Sequence, residues 1–206
     1  MIYRLFDIIF LAILIPIITP IFIVISIFLY SKIKRPIFFV QKRSGYNGKE
    51  FKLYKFRTMA ILKVNQDVEK FDEKLYVINE KKRVLTATKF LRKTRLDEIP
   101  QLLNILKNDI SFVGPRPLLM EYNLLYNKEQ KKRLSVKPGI TGWSQIHSDT
   151  GITWKKKFEF DLWYVQNKSL YINLKIILLT VKFFAKKLFD KNDNEIYLHE
   201  KFNGNN

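Results

Sequence analysis

The chain has 206 residues and a formal net charge of +18, from 37 lysines and arginines against 19 acidic residues. It has no cysteine, which excludes disulfides, thiolate metal sites and a thiol nucleophile, and its two histidines are too few for a histidine-rich metal centre. The length suits one domain with a real core plus a small appendage, and so large a positive excess seeks polyanions: nucleic acid, an anionic lipid surface or phosphorylated substrates.

Residues 8–31 carry no charge. About 20 apolar residues suffice to cross a bilayer, so this segment is expected in a membrane. It is too long for a cleavable signal peptide, and no small-residue cleavage site follows it. Arg4 precedes it, and Lys32, Lys34 and Arg35 follow. Pro16 and Pro20 each remove a backbone donor in mid-segment, which predicts a kink. Thr19 is placed to offer its hydroxyl to a freed carbonyl. Two topologies are open on these residues. One is a kinked span with its C-terminal side in the cytoplasm. The other is a helix that breaks and leaves on the side it entered.

Residues 35–59 alternate around Gly45-Tyr46-Asn47-Gly48 and predict an extended hairpin. Its Lys55-Phe56-Arg57 is either a basic phosphate site or a bare charged strand face. Residues 60–82 predict a charged helix and a loop. Residues 84–93 have helical spacing, and 99–106 form an amphipathic helix. Between them a cluster of bases (Lys89, Arg92, Lys93, Arg95) leads into Asp97-Glu98. Asp is a favoured N-cap and Pro100 is tolerated in a first turn, so the pair reads as an ordinary helix cap. That is the simpler reading of the pair alone; an aspartate there can nevertheless be a nucleophile towards phosphorus, kept ionised by arginines and a bound Mg²⁺.

Gly114-Pro115-Arg116-Pro117 holds an arginine between residues that fix φ. That is either a pre-set phosphate clamp or a plain surface loop. Residues 118–126 predict another helix, and Lys137-Pro138-Gly139 a tight turn. His147 reads as a loop residue and Lys155 to Lys157 as a solvated run. Residues 154–165 predict an aromatic-rich helix. In residues 170–189, Lys175, Lys182 and Lys186 share one face of an otherwise apolar helix, which predicts a helix lying at a membrane surface. The polar tail from Asp190 onward is expected to be loosely held.

Several pieces recur together in a known family: Arg4-Leu5-Phe6-Asp7, Thr19-Pro20, Tyr54-Lys55-Phe56-Arg57-Thr58-Met59, and the run from Phe90 through Arg92-Lys93-Thr94-Arg95-Leu96-Asp97-Glu98-Ile99-Pro100 to Gln101. Ser111-Phe112-Val113-Gly114-Pro115-Arg116-Pro117, Val136-Lys137-Pro138-Gly139-Ile140-Thr141-Gly142-Trp143 and Lys157-Phe158-Glu159-Phe160-Asp161 complete the set. In this order they resemble the bacterial sugar transferases of the monotopic phosphoglycosyl transferase superfamily over nearly the whole chain. Within it, the short length, Met120-Glu121-Tyr122 and the ending Glu200-Lys201-Phe202-Asn203-Gly204 most resemble the small transferases of diacetylbacillosamine 1-phosphate.

The resemblance implies an α-rich α/β fold with one small catalytic domain. A re-entrant membrane helix (1–34) that breaks at Thr19-Pro20 would precede the catalytic domain with its interfacial helices (35–189) and a tail (190–206). It implies transfer of a sugar 1-phosphate from a UDP-sugar to polyprenyl phosphate, with release of UMP. Asp97 would be the covalent nucleophile and Glu98 its neighbouring carboxylate, in metal binding or proton handling. Mg²⁺ would be the cofactor, with Asp161 joining Asp97 and Glu98 as ligand. Arg92, Arg116, Lys55 and Arg57 would bind phosphates. The enzyme would sit on the bacterial inner membrane, active site on the cytoplasmic face, with its positive charge serving substrates and anionic lipid rather than nucleic acid.

Where the family usually has Val-Asn-Gly-Arg-Asn this chain has Ile146-His147-Ser148-Asp149-Thr150, which makes His147, Ser148 and Asp149 the candidates for sugar selection. Asn173 replaces a frequent aspartate, and Thr88 a frequent glycine. Two rivals remain: a capsule or O-antigen initiator using UDP-glucose or UDP-galactose, and a non-catalytic membrane-anchored polyanion-binding protein.

Overall fold

The computed structural model describes residues 1–33, 35–60, 85–147, 152–189 and 201–205. The charged helix and loop expected over 60–82 lie outside the described residues, apart from Ala60. Helix α1 (Ile2–Ile33) leads into the hairpin β1 (Phe38–Ser44) and β2 (Glu50–Phe56). Short helices α2 (Lys89–Lys93) and α3 (Leu102–Leu106) flank a 3₁₀ turn, Leu96–Gln101. Strand β3 (Ser111–Val113), helix α4 (Lys128–Lys131), strand β4 (Gly139–Thr141) and helix α5 (Trp143–Ile146) follow. Helices α6 (Trp154–Asn167) and α7 (Leu170–Phe189) complete the α-rich α/β domain that the family resemblance implies.

The hairpin forms as expected, antiparallel, with Phe38 opposite Phe56 and Ser44 opposite Glu50. Side chains alternate along a strand. Phe51 and Leu53 therefore enter the main core on one face of β2, and Lys55 follows them on that face. Phe56, on the other face, packs with Ile25 and Leu29 of α1 and with Leu91. The open edge of β2 is covered by one side chain. Asn104, fully buried, accepts from Tyr54 N (3.1 Å) and donates to Lys52 O (2.6 Å), as a neighbouring strand would. It thereby docks α3, and the turn before it, on β2.

Several expected helices are shorter or of another kind. Residues 118–126 hold only a 3₁₀ turn, Met120–Leu124. The expected tight turn at Lys137-Pro138-Gly139 is instead the entry to β4, whose Gly139 lies opposite Ser111 in a parallel pair. A Cβ on Gly114, Gly139 or Gly142 would strike backbone of the neighbouring segment, so these glycines permit the close approach of β3 and β4. The tail is not loosely held throughout. Phe202 is 2% exposed and packs against Tyr122, Tyr126, Trp154 and Phe158, because five aromatic rings together bury what a polar tail alone would not.

Helix α1 runs through Pro16 and Pro20 as one element, so the expected break at Thr19-Pro20 does not interrupt it. The Thr19 hydroxyl donates to Ile15 O (2.7 Å), its own i−4 carbonyl, rather than to those of Ala12 and Pro16 that the prolines leave without a donor. The helix presents one stripe to the protein. Asp7, Leu11, Ile25 and Leu29 are buried, while Ile9, Ile13, Ile17, Val24 and Ile27 on the other faces are exposed. Both ends are tied to the same domain. Arg4 donates to Ile105 O and Leu106 O (2.5 and 2.9 Å), and Arg57 Nη2 donates to Ile33 O (2.5 Å). Between them Asp7 accepts from Ser111 Oγ (2.8 Å) and Phe112 N (3.1 Å). Among the described residues α1 is the one helix long and apolar enough to cross a membrane, by length and composition.

Candidate active site

Three segments converge on Glu98. β2 brings Lys55, whose Nζ lies 2.7 Å from Glu98 Oε1. The loop after β3 brings Arg116, with Nη2 3.3 Å from the same oxygen. Arg95, at the head of the carboxylate turn, stands at 3.9 Å. Glu98 is 6% exposed. Burial alone would raise its carboxyl, but Lys55, Arg116 and Arg95 outweigh that and hold it below the usual carboxylate range. It is therefore anionic at any physiological pH. Burial in turn lowers Lys55, against the pull of Glu98.

Asp97 is half-buried beside this cluster. Burial, and then the charge of Glu98, push it up to about 6, against the opposing charges of Lys55, Arg92 and Arg95. The helix-cap reading of Asp97 does not hold. It sits inside the Leu96–Gln101 turn, whose N-cap is Arg95 with φ 54°, and no side chain caps that turn. A left-handed arginine costs about 1 kcal/mol. Here it reverses the chain after α2, so that Arg92 and Arg95 flank the carboxylates.

On its other side Glu98 borders an apolar cavity of about 230 Å³. Leu14 and Ile18 of α1, Ile99, Phe112, and Phe183 and Phe184 of α7 form much of its wall. The charged cluster around Glu98 thus adjoins an apolar space that α1 and α7 help to line.

Among the expected site residues, Asp97, Glu98, Lys55, Arg92 and Arg116 are brought together, but three others are not. Arg57 serves the C-terminal end of α1 instead, where a cation complements unpaired carbonyls. Asp161 does not join the carboxylates: among the described residues no three acidic or histidine side chains group to hold a metal. Its Oδ2 accepts from Arg133 Nε and Nη2 (3.1 and 2.9 Å) and its Oδ1 from Ser144 (2.8 Å). His147 is exposed, with Nδ1 2.8 Å from Trp143 O and its ring 4.2 Å from that of Trp143. Ser148 and Asp149 lie outside the described residues.

Residues that the sequence did not single out complete the site. Arg133, 3% exposed, also donates through Nη2 to Arg116 O (2.7 Å). The Arg133–Asp161 pair is thereby joined to the backbone that aims Arg116 at Glu98. Lys157, expected in solvent, is 4% exposed. The signal for Lys157 lay in the helical spacing of Trp154, Phe158, Asp161 and Tyr164, whose face also contains position 157. The two family departures have local explanations. Asn173, 1% exposed, accepts from Tyr164 Oη (2.8 Å). Thr88 donates to Thr58 O and Leu85 O, both at 2.8 Å.

Known proteins place this arrangement. A family profile described as bacterial sugar transferase matches residues 1–187. The chain is 50% identical over 151 residues to the uncharacterized sugar transferase EpsL of Bacillus subtilis, covering 73% of this chain and 71% of that protein. It is 39% identical over 186 residues to the UDP-glucose:undecaprenyl-phosphate glucose-1-phosphate transferase of Klebsiella pneumoniae, covering 86% of this chain and 39% of that protein. It is 33% identical over 196 residues to the undecaprenyl-phosphate galactose phosphotransferase of Salmonella typhimurium, covering 89% of this chain and 40% of that protein. The chain thus spans about two fifths of the length of those last two relatives. Matched over most of its length, with its carboxylates and bases in one cluster, the chain belongs to the bacterial sugar transferase family, a family of transferase enzymes.

Proposed function

We propose that the protein transfers a sugar 1-phosphate from a UDP-sugar to polyprenyl phosphate through a covalent intermediate on Asp97. The observation that carries this reading is the position of Glu98 between cations and an apolar cavity, with Asp97 beside it under the charges of Lys55, Arg92 and Arg95. The cations suit two phosphorylated substrates, and the cavity suits a lipid acceptor. An Asp97 oxygen attacks the β-phosphorus. The bond from that phosphorus to the bridging oxygen breaks, and UMP leaves with the electron pair. A phosphate oxygen of the acceptor then attacks the phosphorus of the acyl phosphate. The P–O bond to Asp97 breaks, which restores the carboxylate and yields the polyprenyl diphosphate sugar. Lys55, Arg92, Arg95 and Arg116 hold the phosphates and offset their charge.

Asp97 and Glu98 fit a Mg²⁺ site of the kind that one or two carboxylates complete with substrate phosphates. The ion would neutralise diphosphate charge there, and Asp161 would take no part, since both its oxygens are engaged. Because attack needs an ionised Asp97, UMP release is expected to fall about tenfold per pH unit below about 6 and to level off above it. A rate that stays flat down to pH 4 would contradict this.

Attachment of both ends of α1 to one domain supports a helix that stays with that domain on one membrane face. In α7 the exposed Tyr171, Leu174, Leu178 and Val181 lie on one stripe beside Lys175 and Lys182, which suits an anionic lipid surface. A tag fused before Met1 is expected to remain on the cytoplasmic side of the inner membrane. A periplasmic tag would make α1 a span.

The sugar is either diacetylbacillosamine, favoured by the resemblance of Tyr122 and the chain end, whose rings meet at 5.6 Å, or the glucose or galactose named for the Klebsiella and Salmonella relatives. A UMP-release assay with Mg²⁺, polyprenyl phosphate and a panel of UDP-sugars tests the reaction and the sugar together. Release with none of them would favour a polyanion-binding protein.

A further inference from the structure

Lys157 has no part in the steps above. It lies on the buried face of α6, one turn before Asp161. Asp161 is already matched by Arg133 in a pair 2% and 1% exposed. Among the described residues the Lys157 ammonium makes no hydrogen bond and no ion pair. The charges that bear on it are Asp161, then Arg133, Arg116 and Arg95. One shared anion therefore faces several cations. Burial pulls Lys157 down to about 8, which leaves it charged at neutral pH. The Lys157 stem is buried while its ammonium keeps a little accessible surface, and an anion supplied from outside the chain would be its acceptor there. Arg116 and Arg95 are also the guanidiniums that stand 3.3 and 3.9 Å from Glu98. Geometry links Lys157 to that site: Asp161, one turn after it on the same face, holds Arg133, whose Nη2 donates to Arg116 O at 2.7 Å.

We propose that Lys157 is a substrate-binding residue whose ammonium donates to a phosphate oxygen held jointly with Arg116 and Arg95. This rests on the reading of the site as one that binds phosphorylated substrates. The ligand chemistry is a phosphate oxyanion, from either the diphosphate of the donor or the monophosphate of the lipid acceptor.

The test uses the full chain in detergent, with inorganic diphosphate as the probe and thermal unfolding as the readout. Diphosphate is expected to raise the Tm of the wild type. In Lys157→Met it is expected to bind about tenfold more weakly, the loss typical of one charge-assisted hydrogen bond. Without ligand, the Tm of Lys157→Met is expected to hold or rise, since an apolar chain replaces a buried charge. A purely structural lysine would instead lower it. Lys156→Met is the control, because Lys156 is exposed and paired with Glu159 at 2.9 Å. Equal diphosphate binding by Lys157→Met and the wild type would overturn the proposal, as would no binding by either.

Kinetics separate the two sources. A higher KM for the UDP-sugar assigns Lys157 to the donor, and a higher KM for polyprenyl phosphate to the acceptor. Unchanged values for both overturn the proposal. Failure of the transfer reading looks different: wild type that binds diphosphate but releases UMP from no sugar.

Discussion

Asp97→Asn is expected to reduce UMP release by about three orders of magnitude or more, because an amide cannot form the acyl phosphate and nothing adjacent replaces it. Glu98 is no substitute: Lys55 at 2.7 Å and Arg116 at 3.3 Å hold its Oε1 in the buried cluster. The same variant is expected to fold at least as well as the wild type. The folded value of Asp97, about 6, lies above the ordinary 3.8. Ionisation of this side chain therefore opposes folding. That cost is absent below about pH 3.8, grows between there and about 6, and is complete above. Removing the charge at pH 7 should hold or raise Tm. Loss of activity with an intact or higher Tm separates a chemical role from a structural one, and normal turnover by Asp97→Asn would end the covalent reading.

The second large effect concerns the buried pair behind Arg116. Asp161→Ala is expected to cost about 3–5 kcal/mol of stability, since it leaves the Arg133 charge buried without a partner. Arg133 and Asp161 are 3% and 1% exposed, so water does not compensate. The informative variant removes both charges. Arg133→Met with Asp161→Leu is expected to recover most of the stability, while UMP release stays low and KM for the UDP-sugar rises. The reason is that Arg133 Nη2 also donates to Arg116 O at 2.7 Å. Without it, the backbone that aims Arg116 loses a fixed point. A double variant with wild-type KM and kcat would show the pair to be structural alone.

These two cases mark what local sequence physics can reach. The hairpin was legible because Phe51 and Leu53 alternate with polar residues around a glycine turn, and that alternation also carries Lys55 to the buried side. Helices α6 and α7 were legible from their spacing. The grouping of Glu98 with Arg116 was legible because both lie in one short run. What failed depended on distant partners. Nothing near Asn104 announces that its side chain will pair with Lys52 and Tyr54, some fifty residues earlier. Asp161 was expected at a metal from the family resemblance, and its actual partner, Arg133, lies 28 residues away on another element. Lys157 was hidden in a run of lysines of which it alone is buried. Arg57 is drawn off by a helix end that only the fold brings near.

In the proposed reaction Asp97 carries the phosphosugar between the two substrates. Intact-protein mass spectrometry after incubation with Mg²⁺ and the turned-over UDP-sugar, without polyprenyl phosphate, tests it most directly. Covalent transfer predicts UMP release of up to one equivalent, a mass increase equal to one sugar phosphate that maps to Asp97, and its loss on adding polyprenyl phosphate. UMP release only when the acceptor is present, with no adduct on Asp97, would contradict it.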